Sequence, residues 1–524
     1  MLEKTVNRIK EDIVIRYTFL GTLIVGLISQ GMGLFNTYSS HDDAIALFSY
    51  GETYGIGRWL TDIIFRLAQR ILVNGDGTLS LPLFNGLMII VCVAISACFA
   101  VKMLDIRDSL RGAFIGGIMV CVPTITCFFG YRYNAAQYGL GVLFAAMGAY
   151  YICMAHHVWG FIIGALILGC SAGIYQGFMP FALSLILFWC IGYADGWEGD
   201  RIGILIRDLL IKPALMLLSV IFYFLMNKLY LLSIDSQLLE YRGIDSVAEV
   251  SVSDYLLRVL IAYKQFIIPT RETLFYIYPS NIRYVYYFFG VIGCICMVML
   301  LIRNYRRSIL RGVIVTALFA LIPLATNFMI VLTGTEYMYS TMTYSQMMPF
   351  VVVIYLFDRL CDERELRYEL RFGFGLLCAF LLFLYSRYDS KLYMIDDFSQ
   401  QETISYFNTL ITRIQSTDGY KAEYPVCYID EYDKRTDTLS GIGAIQYYDG
   451  IRGQFYDVNV DPYWMVDERI NNYAWRYFMN NWCGYYPEVI PEDEFADDPI
   501  VQDMPRYPDQ GSIRIIDDTV VINF

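Results

Sequence analysis

The sequence predicts a polytopic α-helical membrane protein of about eleven spans, followed by a small α/β domain outside the membrane. Three observations predict it. Of 524 residues, 56% are hydrophobic and only 17% charged, where a soluble chain carries about a quarter charged residues. Long apolar runs recur, and about 20 residues at about 1.5 Å each cross the hydrocarbon of a bilayer. Composition then changes sharply near residue 388. Beyond it no run is long enough to span, and roughly 25 acidic residues face roughly 10 basic ones. The net charge of -12 therefore comes from the tail. The expected division is 1–388 for the membrane domain and 389–524 for the tail domain.

In chain order, the apolar runs place spans at 14–36, 79–101, 112–130, 134–154, 158–175, 177–194, 208–230, 283–303, 308–332, 343–360 and 371–388. The first is span-length and no small-residue cleavage site follows it, so no cleavable signal is expected. Basic residues cluster at Lys4, Arg8, Lys10 and Arg16, at Lys102, Arg107 and Arg111, in "RNYRRSILR" at 303–311, and at Arg359, Arg364, Arg367 and Arg371. Eleven spans put all four clusters on one side. The positive-inside rule makes that side cytoplasmic, with the N-terminus inside and the tail outside.

The outer segments then carry the informative residues. "GIGRWLTDIIFRLAQRIL" has Ile56, Trp59, Leu60, Ile63, Ile64 and Leu67 at helical spacing, with Arg58, Thr61, Asp62, Arg66, Gln69 and Arg70 on the remaining surface. It reads as a helix lying in the membrane interface, with Trp59 at headgroup depth. "SVSDYLLRVLIAYKQFI" at 251–267 reads likewise, with Leu256, Val259, Leu260, Tyr263 and Ile267 on one face and Ser253 as N-cap. The alternative for both is a surface-packing helix without an active role.

In the tail, "FSQQETISYFNTLITRIQS" predicts a helix with Ile404, Phe407, Leu410, Ile411 and Ile414 on one side. "YPVCYID" predicts a buried strand, and "GSIRIIDDTVVINF" two short strands around a turn at Asp517-Asp518. The acidic runs at 430–433 and 492–498 read as solvated surface rather than metal sites. Thirteen cysteines occur. Eleven lie in or beside apolar segments, where Cys is a small packing residue. Cys427 and Cys483 lie in the polar tail, where a disulfide is an option outside the cell.

No Gly-rich phosphate loop, zinc-binding spacing or nucleophile elbow is present, and there are only three His. Acid–base chemistry then falls to carboxylates and phosphate binding to Arg and Lys. The adjacent Asp42 and Asp43, just after the first span, are the best carboxylate pair. A carboxylate at the rim of the apolar slab is partly desolvated, and a like-charged neighbour raises its pKa further toward base strength. The alternative is a polar stop or helix cap. Arg58 and Arg132 are candidates for a lipid-linked phosphate at headgroup level. Arg242, Lys264 and Arg271 are weaker candidates for the same task. In "SAGIYQG" at 171–177, Ser171, Ala172, Gly173 and Gly177 permit close helix approach. Tyr175 and Gln176 either pair with neighbours or meet sugar hydroxyls. Glu336 is a second acid or sugar contact, or a solvated loop residue.

"HDD...GETYGIGRWL" after the first span, "SAGIYQG", "EYRGID" at 240–245 and "MPRYPDQGSIRIIDD" near the end together resemble the membrane glucosyl transferase family that modifies bacterial surface polysaccharides, known from O-antigen modification. The resemblance runs over nearly the whole chain. It implies a GT-C type architecture in the bacterial plasma membrane, with the active site at the outer surface. It also implies a polyprenyl-phosphate sugar donor, typically glucose, a cell-surface glycan acceptor and inversion at the anomeric carbon. The essential acid of the family's first outer loop is matched by Asp42 or Asp43. His41, beside them, is a sugar or acceptor contact. No cofactor is implied; a divalent metal is compatible with two carboxylates but not required. No nucleic-acid partner is expected. The rival readings are a flippase for lipid-linked sugars, which predicts mid-membrane charges and an internal repeat, and a polysaccharide polymerase, which predicts a large internal outer loop.

Overall fold

In a computed structural model of the chain, residues 12–36, 43, 53–72, 80–199, 201–239, 250–269, 278, 280–334, 338, 340–363, 368–429 and 475–524 are described. The chain divides into two compact units. One holds residues 1–35, 52–75 and 81–390. The other holds residues 36–51, 76–80 and 391–524.

The first unit is helical. Its elements are α1 (Ile13–Phe35), α2 (Trp59–Leu72), α3 (Pro82–Met103), α4 (Ser109–Cys121), α5 (Pro123–Gly130), α6 (Arg132–Met154), α7 (Val158–Ile174), α8 (Met179–Gly196) and α9 (Ile202–Ser233). There follow α10 (Val252–Ile267), α11 (Ser280–Arg307), α12 (Ile309–Ala320), α13 (Ile322–Thr326), α14 (Phe328–Thr333), α15 (Met348–Glu363) and α16 (Tyr368–Gln415), whose last part belongs to the second unit. All eleven expected segments are helical. Eight candidate spans are long and apolar enough to cross a membrane among the described residues, or nine if α4 and α5 form one bent span. That pair bends by 40° where Pro123 removes a helical donor. Helix α7 has 17 residues. The 343–360 segment starts as a 3₁₀ stretch, Ser340–Met347, before α15. The expected span at 308–332 is broken into α12, α13 and α14, with Pro323 in the first turn of α13.

Of the basic clusters, Lys4, Arg8, Lys10, Arg364 and Arg367 lie outside the described residues; described members of the three clusters after the N-terminal one meet on acidic partners. Lys102 pairs with Asp12 at 3.2 Å. Arg111 pairs with Asp358 at 2.5 Å, and the Arg107 and Asp108 amides donate to the same carboxylate. The neighbouring Arg359 joins Arg303 on the buried Asp195. Asn304 also donates to Asp195 at 2.8 Å, and Arg311 donates to its carbonyl. One buried acid thus ties α8, α11, α12 and α15 together.

The two amphipathic segments are helices, and each leaves several apolar side chains exposed. In α2 the buried positions are Trp59, Thr61, Asp62 and Phe65, while Leu67 and Ile71 are exposed. Trp59 is 3% exposed and packs against Ala172 and Tyr223, so it is not a headgroup anchor. In α10, Ala262 and Gln265 are buried while Leu256, Leu260 and Ile267 are exposed. In α2 the departure from the expected arrangement is that Trp59 and Asp62 both turn inward against protein. The N-cap of α10 is Ser251, which accepts from the Asp254 amide, rather than Ser253.

The membrane helices also hold a buried acid. Asp389 lies inside α16, one residue past the expected end of the last span, and is fully buried. It accepts from Gln30 Nε2 at 3.3 Å, and Thr126 donates to Gln30 Oε1 at 3.2 Å.

The second unit contains a four-stranded sheet in the order β2-β1-β4-β3, built from β1 (Val426–Ile429), β2 (Val489–Ile490), β3 (Ile513–Ile516) and β4 (Thr519–Asn523). β1 is parallel to both neighbours, and β3 and β4 form an antiparallel hairpin. Asp517 and Asp518 turn it with φ of 48° and 58°, the double left-handed turn that matches strand twist. Helix α17 (Trp475–Cys483) supplies Trp475, which stacks on Phe407 and meets Tyr428 and Phe524 edge-on. Phe407, Leu410 and Ile414 are fully buried, as their spacing predicted. Cys427 and Cys483 are free thiols. Burial pushes the Cys483 thiol up to about 11, so it stays protonated at neutral pH. The acids at 492–494 are exposed; those at 430–433 lie outside the described residues.

Candidate active site

The segments "GETYGIGRWL" and "SAGIYQG", over a hundred residues apart in the chain, fold onto one another. Before α2 the chain makes a tight 3₁₀ turn, Tyr54–Ile56, closed by the Gly57 amide on the Tyr54 carbonyl at 3.1 Å. Gly57 sits at φ 80°, a left-handed conformation that glycine adopts without strain. Arg58 follows, and Trp59 then enters the bundle. Gly173 makes room for it: a Cβ there would lie 2.5 Å from Trp59 Cε2. Thr61 Oγ1 donates to the Ile174 carbonyl at 3.1 Å.

Helix α7 ends at Ile174, and Tyr175 is extended, with φ -159° and ψ 120°. Its ring then lies under Arg58, whose Cζ is 4.6 Å from the ring centroid. Its hydroxyl pairs with Thr341 Oγ1 at 2.8 Å. Gln176 Nε2 donates to the Ile56 carbonyl at 3.2 Å and to Tyr223 Oη at 2.8 Å. Tyr223 Oη donates in turn to the Gly57 carbonyl at 3.1 Å. The turn that carries Arg58 is thus held by side chains from α7's exit and from α9. A guanidinium stacked on an aromatic face is oriented, and its planar donor fork matches phosphate oxygens.

Two further charged residues are buried, one on α2 and one on α6. Asp62 is fully buried and receives Arg66 Nε at 2.7 Å and the Tyr230 hydroxyl. Its expected place was the polar surface of an interfacial helix; the structure turns it inward. Arg132 is also buried, at the first position of α6, and its carbonyl accepts from Asn85 at 3.0 Å. The adjacent Tyr133 stacks on Phe65 of α2 at 6.1 Å. The helix after Arg58 and the helix that begins at Arg132 are therefore in contact.

Of the candidates read from the sequence, Arg58, Tyr175 and Gln176 come together, and Arg132 lies on a helix packed against theirs. Lys264 does not join them. It is exposed in the last turn of α10, which packs on α13 and α14 through Asn327 and the Ala262 carbonyl. Asp43 is 1% exposed and accepts from Ser80 Oγ at 3.3 Å; both belong to the second unit. His41, Asp42, Arg242, Arg271 and Glu336 lie outside the described residues. Tyr223 and Thr341 were not singled out from the sequence. Tyr223 sits in an apolar run that reads as packing, and only its hydrogen bonds show its place. No group of three or more His, Cys, Asp or Glu side chains placed to hold a metal occurs among the described residues.

Residues 31–350 match the family model described as Glucosyl transferase GtrII. The match covers all the residues of the Arg58 cluster. No curated protein and no solved structure matches the chain.

Proposed function

The chain belongs to the glucosyl transferase GtrII family, and from that premise we propose that it moves glucose from a polyprenyl-phosphate donor to a hydroxyl of a cell-surface glycan at the outer face of a bacterial plasma membrane. The observation that carries the reading is the oriented guanidinium of Arg58, stacked on Tyr175 in a turn held by Gln176 and Tyr223. A cation fixed in this way stabilises the charge that grows on a departing phosphate better than a mobile one, because no reorganisation is needed in the transition state. Arg132 is the second cation of the same task.

The reaction needs one base. Asp42 or Asp43 takes the proton from the acceptor hydroxyl. The oxygen attacks the anomeric carbon from the face opposite the phosphate. The bond from that carbon to the phosphate oxygen breaks, and its electrons stay on the polyprenyl phosphate. Phosphate leaves without protonation, so no general acid is required, in contrast to glycoside hydrolysis. The product is inverted. Tyr175 and Gln176 act mainly by holding the Arg58 turn. No cofactor enters this scheme. The positive-inside rule orients the basic end toward the cytoplasm, with the N-terminus inside and the tail domain outside.

Asp42→Asn and Asp43→Asn test the base. Both variants should insert and fold like the parent, and at least one should lose glucose transfer from a polyprenyl-phosphate donor by about 10³-fold or more. Full activity in both would remove the base from the first outer loop.

A further inference from the structure

The membrane helices hold one acid that the proposed reaction does not use. Asp389 lies within the candidate span Tyr368–Met394 and is fully buried. No ion pair to it occurs among the described residues. Arg387, two positions earlier, is exposed, and the side chains against the carboxylate are the uncharged Gln30 and Thr126. Its Oδ1 is buried without a hydrogen-bond partner. The Tyr385 and Tyr388 hydroxyls are also buried and unpaired. They and the Cys121 thiol lie within electrostatic reach of Asp389. A carboxylate taken out of water is costly unless a positive charge accompanies it, and an acid inside a helical membrane bundle is a candidate ion site for that reason.

The helix that Gln30 joins to Asp389 is broken. Pro123 separates α4 from α5 with a bend of 40°. Having no N–H, it leaves the Met119 carbonyl without its helical partner. Tyr344, in the 3₁₀ stretch Ser340–Met347, donates to that carbonyl at 3.1 Å. Gln30 Nε2 donates to the next carbonyl, Val120, at 3.1 Å and to Asp389 Oδ2 at 3.3 Å. Gln30 Oε1 accepts from Thr126 Oγ1 at 3.2 Å. Carboxylate, amide and hydroxyl oxygens from α16, α1 and α5 thus converge beside a helix break.

We propose that Asp389, Gln30 and Thr126 form a binding site for a monovalent metal cation, Na⁺, at the α4–α5 break. Hard cations take oxygen ligands, and interrupted membrane helices supply such ligands at buried depth. One carboxylate among neutral oxygens balances a single positive charge, which selects a monovalent ion over a divalent one. The site is tied to the Arg58 cluster by the 3₁₀ stretch. Thr343 pairs with Thr124 of α5 at 2.9 Å, and Thr341 pairs with the Tyr175 hydroxyl at 2.8 Å. An ion that steadies the break also steadies the stretch on which Tyr175 rests. The assignment does not depend on the donor class proposed above.

Full-length protein in lipid nanodiscs tests it by thermal melting, with NaCl replaced stepwise by choline chloride at constant ionic strength. The midpoint should rise with the logarithm of the Na⁺ concentration, as mass action requires of a ligand held by the folded state alone. Because Na⁺ and a proton compete for one carboxylate, the shift should grow from about pH 6 to about pH 8. Asp389→Asn keeps the shape, removes the charge and should abolish the Na⁺ dependence in a protein that still folds. Thr126→Val keeps the carboxylate and loses one oxygen, so it should need about tenfold more Na⁺ for the same shift. Equal midpoints in NaCl and choline chloride would overturn the assignment, and so would a Na⁺ shift that survives in Asp389→Asn. A midpoint that follows pH but ignores Na⁺ would overturn it too, because the acid then holds only a proton. If Asp389→Asn does not fold, Thr126→Val decides, and an unchanged Na⁺ titration there rejects the site.

Discussion

Single residues set the geometry of the Arg58 turn, and each makes a separate demand. Gly57 has φ 80° and a carbonyl that accepts from Tyr223. Gly57→Ala should cost about 1–2 kcal/mol from the backbone alone. It should cost more in practice, because a Cβ there would collide with Tyr223 Oη and Gln176 Nε2. A lowered thermal midpoint with transfer reduced beyond the folded fraction is the expected result. Arg58→Lys keeps the charge but loses the planar fork and the stacking on Tyr175. It should reduce kcat/KM about 10²-fold with little change in melting temperature. The arginine itself was legible in the sequence, as a cation on a stretch that cannot span. The fate of Asp62 was not. A carboxylate on an amphipathic helix reads as solvated, and only the Arg66 and Tyr230 contacts show that it faces protein.

At the scale of elements, eight expected spans were legible because apolar length decides them, and so was the tail hairpin at Asp517-Asp518, because its turn demands left-handed residues. The breaks were harder to read. Pro123 bends one segment, and Pro323 and Asn327 divide another into three short helices whose backbone ends are met by side chains of other elements. Ser345 donates to the Thr326 carbonyl at 2.7 Å, for example. Such pairing is long-range, so local periodicity does not carry it. The inward turn of Trp59 and Asp62 in α2 was hidden for a related reason. A moment locates two faces but does not say which solvent lies on each side. In the tail helix α17, the Cys483 thiol sits near 11. Below that pH the reactive thiolate fraction grows about tenfold per unit. Alkylation of Cys483 should therefore keep accelerating beyond pH 9.5, where an ordinary thiol has levelled off. A plateau already reached at about pH 9.5 in a rate–pH profile would show an unperturbed thiol.

Across the whole molecule, a count of eleven spans put the four basic clusters on one side, and among the described residues members of three of them are tied through Asp358 and Asp195. Asp195 is the most exposed to substitution, because it is buried and shared by Arg303 and Arg359. Removing it leaves uncompensated buried cations. Asp195→Ala should destabilise the helical unit by about 3–5 kcal/mol, seen as lower yield and melting temperature rather than a specific kinetic defect. The buried Asp389 revives one feature expected of a transporter, an acid within the helices. Its partners Gln30 and Thr126 are uncharged, and the family match favours transfer over transport. The most direct measurement separates the two. Purified protein in proteoliposomes is given polyprenyl-phosphate glucose labelled in the sugar, with acceptor glycan on the side of the Arg58 cluster. Label should move into the glycan, with one polyprenyl phosphate released per glucose and an inverted linkage. Label that crosses the bilayer still attached to its lipid, with the glycan unmodified, would contradict the assignment.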